Sequence, residues 1–351
     1  MGLYLLQKKN LIYKRYTNME RKRLIWADSL KGFLIMLVVL GHAIQGTFGP
    51  DCENNHLWNI IYSFHMPAFM VVSGFLAFRP HGMDGTSYWG VILRRCRQLI
   101  VPFVLWTIIM LLLKFDFSFA TIGNYLLFPD KGLWFLWVLF FITWLFVSGG
   151  QLAQMLKAPK ECVELCICLL LVAVMLIFEP RIFGFQFIAY YFLFYTFGYY
   201  LHKYQDKLMS NRWTLIISLA LCWFFLAWYW NMHKLPEFLR SVPVSSTILQ
   251  YLYRFVTAVI AIYVLFAVAQ EFLENTNKWN KPLEHLGKVS LGIYAVHMML
   301  IGNTVRAFKQ YAMGGEFVII CSFAVGLIVS WGVVWVLNKN KFTAMLFLGK
   351  L

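Results

Sequence analysis

Apolar stretches follow one another along almost the whole chain, at approximately 26–47, 57–78, 98–114, 133–149, 162–179, 184–201, 213–231, 247–271, 289–303 and 316–337. A helix needs about 20 apolar residues to cross the hydrocarbon layer of a bilayer. Inside that layer the backbone must satisfy its own hydrogen bonds, which a helix does segment by segment. The pattern therefore predicts an all-α integral membrane protein with about ten transmembrane helices. The ninth stretch is short, and a tilted or partly recessed helix suits it. Charged residues make up 13% of the 351 positions and hydrophobic ones 60%, a balance outside the range of soluble domains. No loop is long enough for a soluble domain, and no internal repeat is visible.

The formal net charge of +15 invites a nucleic-acid reading. Its distribution argues against one, because the basic residues fall in short segments between the apolar stretches. With the N-terminus inside, 22 Lys and Arg lie on the inner side against 7 on the outer side. The positive-inside rule then places both termini in the cytoplasm. Three parts follow: a basic segment 1–25, a membrane domain 26–337 and a tail 338–351. No cleavable signal peptide is expected, since the first 23 residues are basic and polar and the first apolar segment is a full-length span. Cys162, Cys166 and Cys168 read as small buried residues of a span rather than as a metal cluster, and no metal site is expected.

The first span carries Asp28, Lys31 and His42. Ionisable groups within a membrane are costly and are kept by default for function. Lys31 and His42 are eleven residues apart, about three turns plus 20°, so they share one helix face, separated by roughly 16 Å along the axis. Asp28 lies near the same face, within reach of Lys31, and is also placed to cap the span's N-terminus. A neutral imidazole accepts a hydroxyl proton near pH 7, as acyl transfer to an alcohol requires.

Further polar groups recur in order. His65 and Pro67 begin a stretch that ends in Ser73 and Gly74; the proline is expected to kink span two, and the small residues allow close helix packing. Arg94, Arg95 and Arg97 precede span three on the inner side and suit phosphate, although basic residues flank inner span ends generally. Trp134, at the start of span four, reads as an interfacial belt residue. Ser290, Tyr294 and His297 share a face of span nine, a polar stripe that suits a partner helix or a water-filled path. Arg254, in span eight, requires a partner that the sequence does not name. No Walker loop, HExxH, GxSxG or dinucleotide glycine fingerprint is present.

Together these elements resemble the membrane-bound acyltransferase family 3, the multi-span O-acyltransferases of bacterial cell-surface polysaccharides, and within it the fucose 4-O-acetylase-like group. A basic residue, ten intervening residues and a histidine are met by Lys31 and His42. The Arg-x-x-Arg pattern is met by Arg94 and Arg97. The Phe-His-Met-Pro…Ser-Gly stretch and the Ser-x-x-x-Tyr-x-x-His stretch also look like the family's. Many relatives have Arg where this chain has Lys31, which cannot form a planar fork.

The resemblance implies acetyl-CoA from the cytoplasm as donor, a hydroxyl of a cell-surface or lipid-linked sugar as acceptor, and residence in the bacterial inner membrane among its lipids. His42 is then the candidate general base, with Lys31 and Asp28 beside it. Arg94, Arg95 and Arg97 would hold the acyl-CoA phosphates, and His65, Ser290, Tyr294 and His297 would line the substrate channel. An acetyl-His42 relay is the alternative mechanism, and a proton-coupled transporter or glycan flippase the alternative function.

Overall fold

The computed structural model describes residues 24–78, 87–114, 118–204, 213–274 and 277–350. Most of the basic segment 1–25 therefore lies outside the described residues. The described chain is helical throughout, with no strand among those residues. Its α-helices are α1 Ile25–Phe48, α2 His56–Tyr62, α3 His65–Ala77, α4 Tyr88–Arg95, α5 Val101–Leu113, α6 Phe119–Leu127, α7 Trp134–Leu156, α8 Lys160–Phe178, α9 Phe185–Lys203, α10 Trp213–Trp228, α11 Ser246–Leu273, α12 Lys281–Lys288, α13 Ser290–Gln310, α14 Gly315–Leu337 and α15 Lys341–Leu348.

Among the described residues seven segments are long and apolar enough to cross a membrane: Ile25–Asn54, His56–Ala77, Tyr88–Leu113, Trp134–Leu156, Lys160–Phe178, Ser246–Leu273 and Gly315–Leu337. Three more helices fall at the remaining expected positions. Helix α10 has only 16 residues, and α9 and α13 carry tyrosines and a polar stripe that lower their apolarity. The ninth stretch is longer than expected, since α13 runs through its polar residues to Gln310.

Two breaks shape the membrane domain. The second span divides after Tyr62, and α3 restarts at His65 with Phe64 at φ −144°. The break sits at Ser63, four residues before Pro67, where a proline ring clashes with the carbonyl of a continuing helix. Pro67 itself occupies the first turn of α3, where no amide donor is needed. The third span starts a full turn or more earlier than hydropathy suggests. Arg94, Arg95 and Arg97 lie within one continuous helical rod, α4 running into α5 through a π-helical turn at Cys96–Ile100. Arginine favours helices and extends its charge beyond the apolar layer, so it lowers hydropathy without ending the helix.

Helices meet most closely where glycines remove side chains. A Cβ on Gly74 would strike the backbone of Tyr195, and one on Gly198 would strike that of Val71, so α3 and α9 touch backbone to backbone. Gly32 against Leu283 and Gly287 against Asp28 bring α12 equally close to the N-terminal end of α1. Such small-residue contacts suit helices in lipid, where packing rather than water drives association. Within the segment expected as a tail, α15 returns to α5, where the Trp106 indole donates to the Phe347 carbonyl at 2.9 Å.

Candidate active site

Helix α1 begins at Ile25, so Asp28 lies inside its first turn and is not the N-cap; Leu24 holds that position without a side-chain cap. The buried Asp28 carboxylate is instead 2.7 Å from Lys31 Nζ. Its negative charge also faces the positive end of the helix dipole.

Lys31 faces a cavity of about 330 Å³ lined by α1, α3, α7, α9, α12, α13 and the α4–α5 rod. Three cations line it: Lys31, Arg95 and Lys288. Arg95 is steadied by its Nη1 donating to Gln98 Oε1 at 3.2 Å, and Lys288 by an ion pair with Glu284 one turn away. Of the three clustered arginines, Arg95 alone borders this cavity, while Arg94 and Arg97 are exposed. A π-turn inserts a residue into the helical register and so re-aims the side chains around it, as such turns often do at functional sites. Ile35, Met66, Phe69 and Leu139 supply apolar walls; Phe135 lies one turn from Leu139 on α7, and Ser290 and Tyr294 lie one turn apart on α13. Ser73 also borders the cavity, and its hydroxyl donates to the Phe69 carbonyl at 2.8 Å.

Tyr294 joins this cavity to a cluster of imidazoles. Its hydroxyl accepts the Phe135 amide at 3.2 Å, which leaves its own proton free to be donated. Its ring centroid is 5.7 Å from that of His297, which is fully buried and 5.2 Å from the ring of His42. His297 Nδ1 lies 3.1 Å from the Ile293 carbonyl, an acceptor, so that nitrogen carries the proton and Nε2 the lone pair. Among the described residues His297 Nε2 has no partner. His42 is fixed in the same sense. Its Nδ1 is 3.1 Å from Gln45 Oε1, which also accepts the Tyr62 hydroxyl at 3.0 Å. His65 stands one ring away: its centroid is 4.7 Å from Tyr62, and its Nδ1 donates to the Ile61 carbonyl at 2.7 Å beside the helix break.

His42, His65 and His297, from three different spans, thus gather around Tyr62 and Tyr294. Sequence reasoning did not single out Gln45, Tyr62 or Gln98, and it gave Lys288 no role. Gln45, three residues after His42, carries the one local signal of these, the i,i+3 spacing that orients a side chain. Trp134 stacks on Phe187 and Tyr191 at 4.8 and 5.3 Å, so it packs between helices as well as marking a span end. Arg254 has three aromatic rings around its guanidinium, and among the described residues no carboxylate pairs with it. Cys168 is buried while Cys162 and Cys166 are exposed, so the three thiols do not converge. Among the described residues no group of three His, Cys, Asp or Glu side chains is arranged to hold a metal ion.

The family described as "Acyltransferase domain" matches the chain over residues 24–338. The chain belongs to that acyltransferase family. Two curated proteins are similar to parts of it. The "Nodulation protein NolL" of Sinorhizobium fredii (strain NBRC 101917 / NGR234) is 33% identical over 147 residues, covering 36% of this chain and 37% of that protein. The protein of the same name from Mesorhizobium japonicum (strain LMG 29417 / CECT 9101 / MAFF 303099) is 30% identical over 130 residues, covering 32% of each. The chain therefore matches about a third of the length of these relatives. No solved structure matches it.

Proposed function

We propose that this membrane acyltransferase moves an acetyl group from cytoplasmic acetyl-CoA to a hydroxyl of a cell-surface or lipid-linked sugar, with His42 as general base. One observation carries the reading. A cavity with Lys31, Arg95 and Lys288 on its walls reaches Tyr294, and Tyr294 touches the His42–His297 pair. Cations at one end suit the phosphates of a CoA. An apolar passage suits the pantetheine arm, and imidazoles with open Nε2 positions suit a hydroxyl. In this reading all ten long helices cross the bacterial inner membrane, both termini are cytoplasmic, and the cationic end of the cavity opens inward.

Asp28 holds Lys31, a point charge here rather than a fork, toward the donor. Arg95 meets the phosphates inside the cavity, and Arg94 and Arg97 meet them from the surface. The thioester carbonyl comes to rest beside Tyr294, whose free proton steadies its oxygen as negative charge develops. His42 Nε2 takes the proton of the acceptor hydroxyl, and the sugar oxygen forms a bond to the carbonyl carbon. The tetrahedral intermediate collapses, the carbon–sulfur bond breaks, and the CoA thiolate leaves with the proton returned from His42. The Gln45–Tyr62 pair keeps Nδ1 protonated so that Nε2 remains the base. His65 and His297, Ser290 and Ser73 border the path.

The test is labelled acetyl transfer from acetyl-CoA to extracted surface glycan, in membranes expressing wild type or His42→Ala at matched levels. Loss of about a hundredfold to ten-thousandfold in the variant is expected of a missing general base. Equal label in both would remove His42 from the chemistry. An unlabelled glycan with wild type, across a panel of acyl-CoA donors, would overturn acyl transfer to that glycan.

A further inference from the structure

Arg254 lies two turns into α11, about 12 Å from the start of that helix at 1.5 Å per residue. A guanidinium at such a depth is costly unless its charge and its five donors are met. Here the charge is met by rings: Tyr190, Trp230 and Tyr251 have centroids 5.3, 5.7 and 5.8 Å from its central carbon. Rings offer cation–π attraction but no hydrogen-bond acceptor of carboxylate strength. Among the described residues Arg254 Nε is buried without a partner, and so is the indole N–H of Trp230 beside it. Buried donors are normally satisfied, so two of them side by side call for an acceptor-rich ligand.

The same place is physically continuous with the imidazoles. Trp230 contacts Trp58 at 6.5 Å between centroids, Trp58 stacks on Tyr62 at 3.9 Å, and Tyr62 lies 6.4 Å from His42. The two ends of this stack are opposite in polarity. The imidazole end presents a lone pair that wants a hydroxyl proton, and the guanidinium end presents N–H groups that want oxygen. A sugar bearing an acidic group carries both.

We propose that Arg254, in its box of Tyr190, Trp230 and Tyr251, binds an oxyanion of the acceptor while a hydroxyl of the same molecule reaches His42. The oxyanion is either the carboxylate of an acidic sugar or the phosphate of a lipid-linked one, since both are planar or forked oxygen pairs that a guanidinium binds in two bonds. This rests on the acyl-transfer reading for the identity of the ligand as acceptor, but its test needs no turnover.

The full chain in lipid nanodiscs is titrated with four probes while its tryptophan fluorescence is followed: octyl glucuronide against octyl glucoside, and undecaprenyl phosphate against undecaprenol. Wild type should bind one anionic probe at least about tenfold more tightly than its neutral counterpart, and the pair that discriminates identifies the source of the oxyanion. Arg254→Gln should abolish that preference while acetyl-CoA binding, read separately, is unchanged. Arg254→Lys, which keeps the charge and loses the fork, should retain part of it and serves if the glutamine variant does not fold. Neither anion being preferred by wild type, or the preference surviving in Arg254→Gln, overturns the proposal. If the preference holds but wild type transfers no acetyl group to any glycan, the anion site stands and the acyl-transfer reading falls.

Discussion

As the proposed general base, His42 has one nitrogen to work through. The Gln45 carboxamide oxygen receives both the His42 Nδ1 proton and the Tyr62 hydroxyl proton, at 3.1 and 3.0 Å, which leaves the lone pair on Nε2. Replacing Gln45 by Leu removes that anchor without removing the proposed base. Transfer at saturating donor should fall by roughly tenfold to a hundredfold while the KM for acetyl-CoA stays within twofold, about the effect of losing an orienting contact. At the other end of the cavity Lys288→Ala should do the reverse, raising the KM for acetyl-CoA by roughly tenfold with little change in kcat, as expected for lost charge-assisted binding. Steady-state kinetics on membranes of matched expression read both.

At the scale of the helix, backbone contact decides where these side chains stand. Gly74 and Gly198 let α3 and α9 touch, and that contact fixes α3, which starts with His65. Gly74→Leu would force the two backbones apart. The variant should lose more stability than the 1–3 kcal/mol typical of overpacking, because backbone rather than a side chain blocks the space, and its thermal unfolding in detergent should fall well below that of wild type. How much of this was readable in advance varies by element. The shared face of Lys31 and His42 and the stripe of Ser290, Tyr294 and His297 follow from helical spacing alone, since 3.6 residues per turn fixes which residues align. The role of Pro67 was readable as a break but not its place, because the clash falls four residues upstream. The arginines misled hydropathy about where the third span starts, since hydropathy measures transfer into lipid and not backbone hydrogen bonding. Which of Arg94, Arg95 and Arg97 faces the cavity depends on a π-turn that has no local spacing signal. Lys288 and Gln98 join the site only through the packing of α12 and the α4–α5 rod.

At the scale of the molecule, alternation of apolar and basic segments was enough to indicate a helical multi-span protein, and among the described residues seven helices are long and apolar enough to cross. Of the other three, α10 is apolar but only 16 residues long, while α9 and α13 owe their lower apolarity to residues of the proposed site: the tyrosines of α9, which include one wall of the Arg254 box, and the polar stripe of α13. Where a membrane protein places its chemistry, its spans are least legible as spans. The molecule then has two chemically distinct ends, a cationic cavity and a histidine–aromatic cluster, separated along α1 by the roughly 16 Å from Lys31 to His42. The central claim is that donor and acceptor enter from these opposite ends and meet at His42. Sealed vesicles of known orientation, with labelled acetyl-CoA confined to the cytoplasmic side and extracted glycan to the other, measure it directly. Label should appear on the glycan with wild type and fall at least about a hundredfold with His42→Ala. Label appearing only when both substrates share the cytoplasmic side, or appearing equally with His42→Ala, would contradict it.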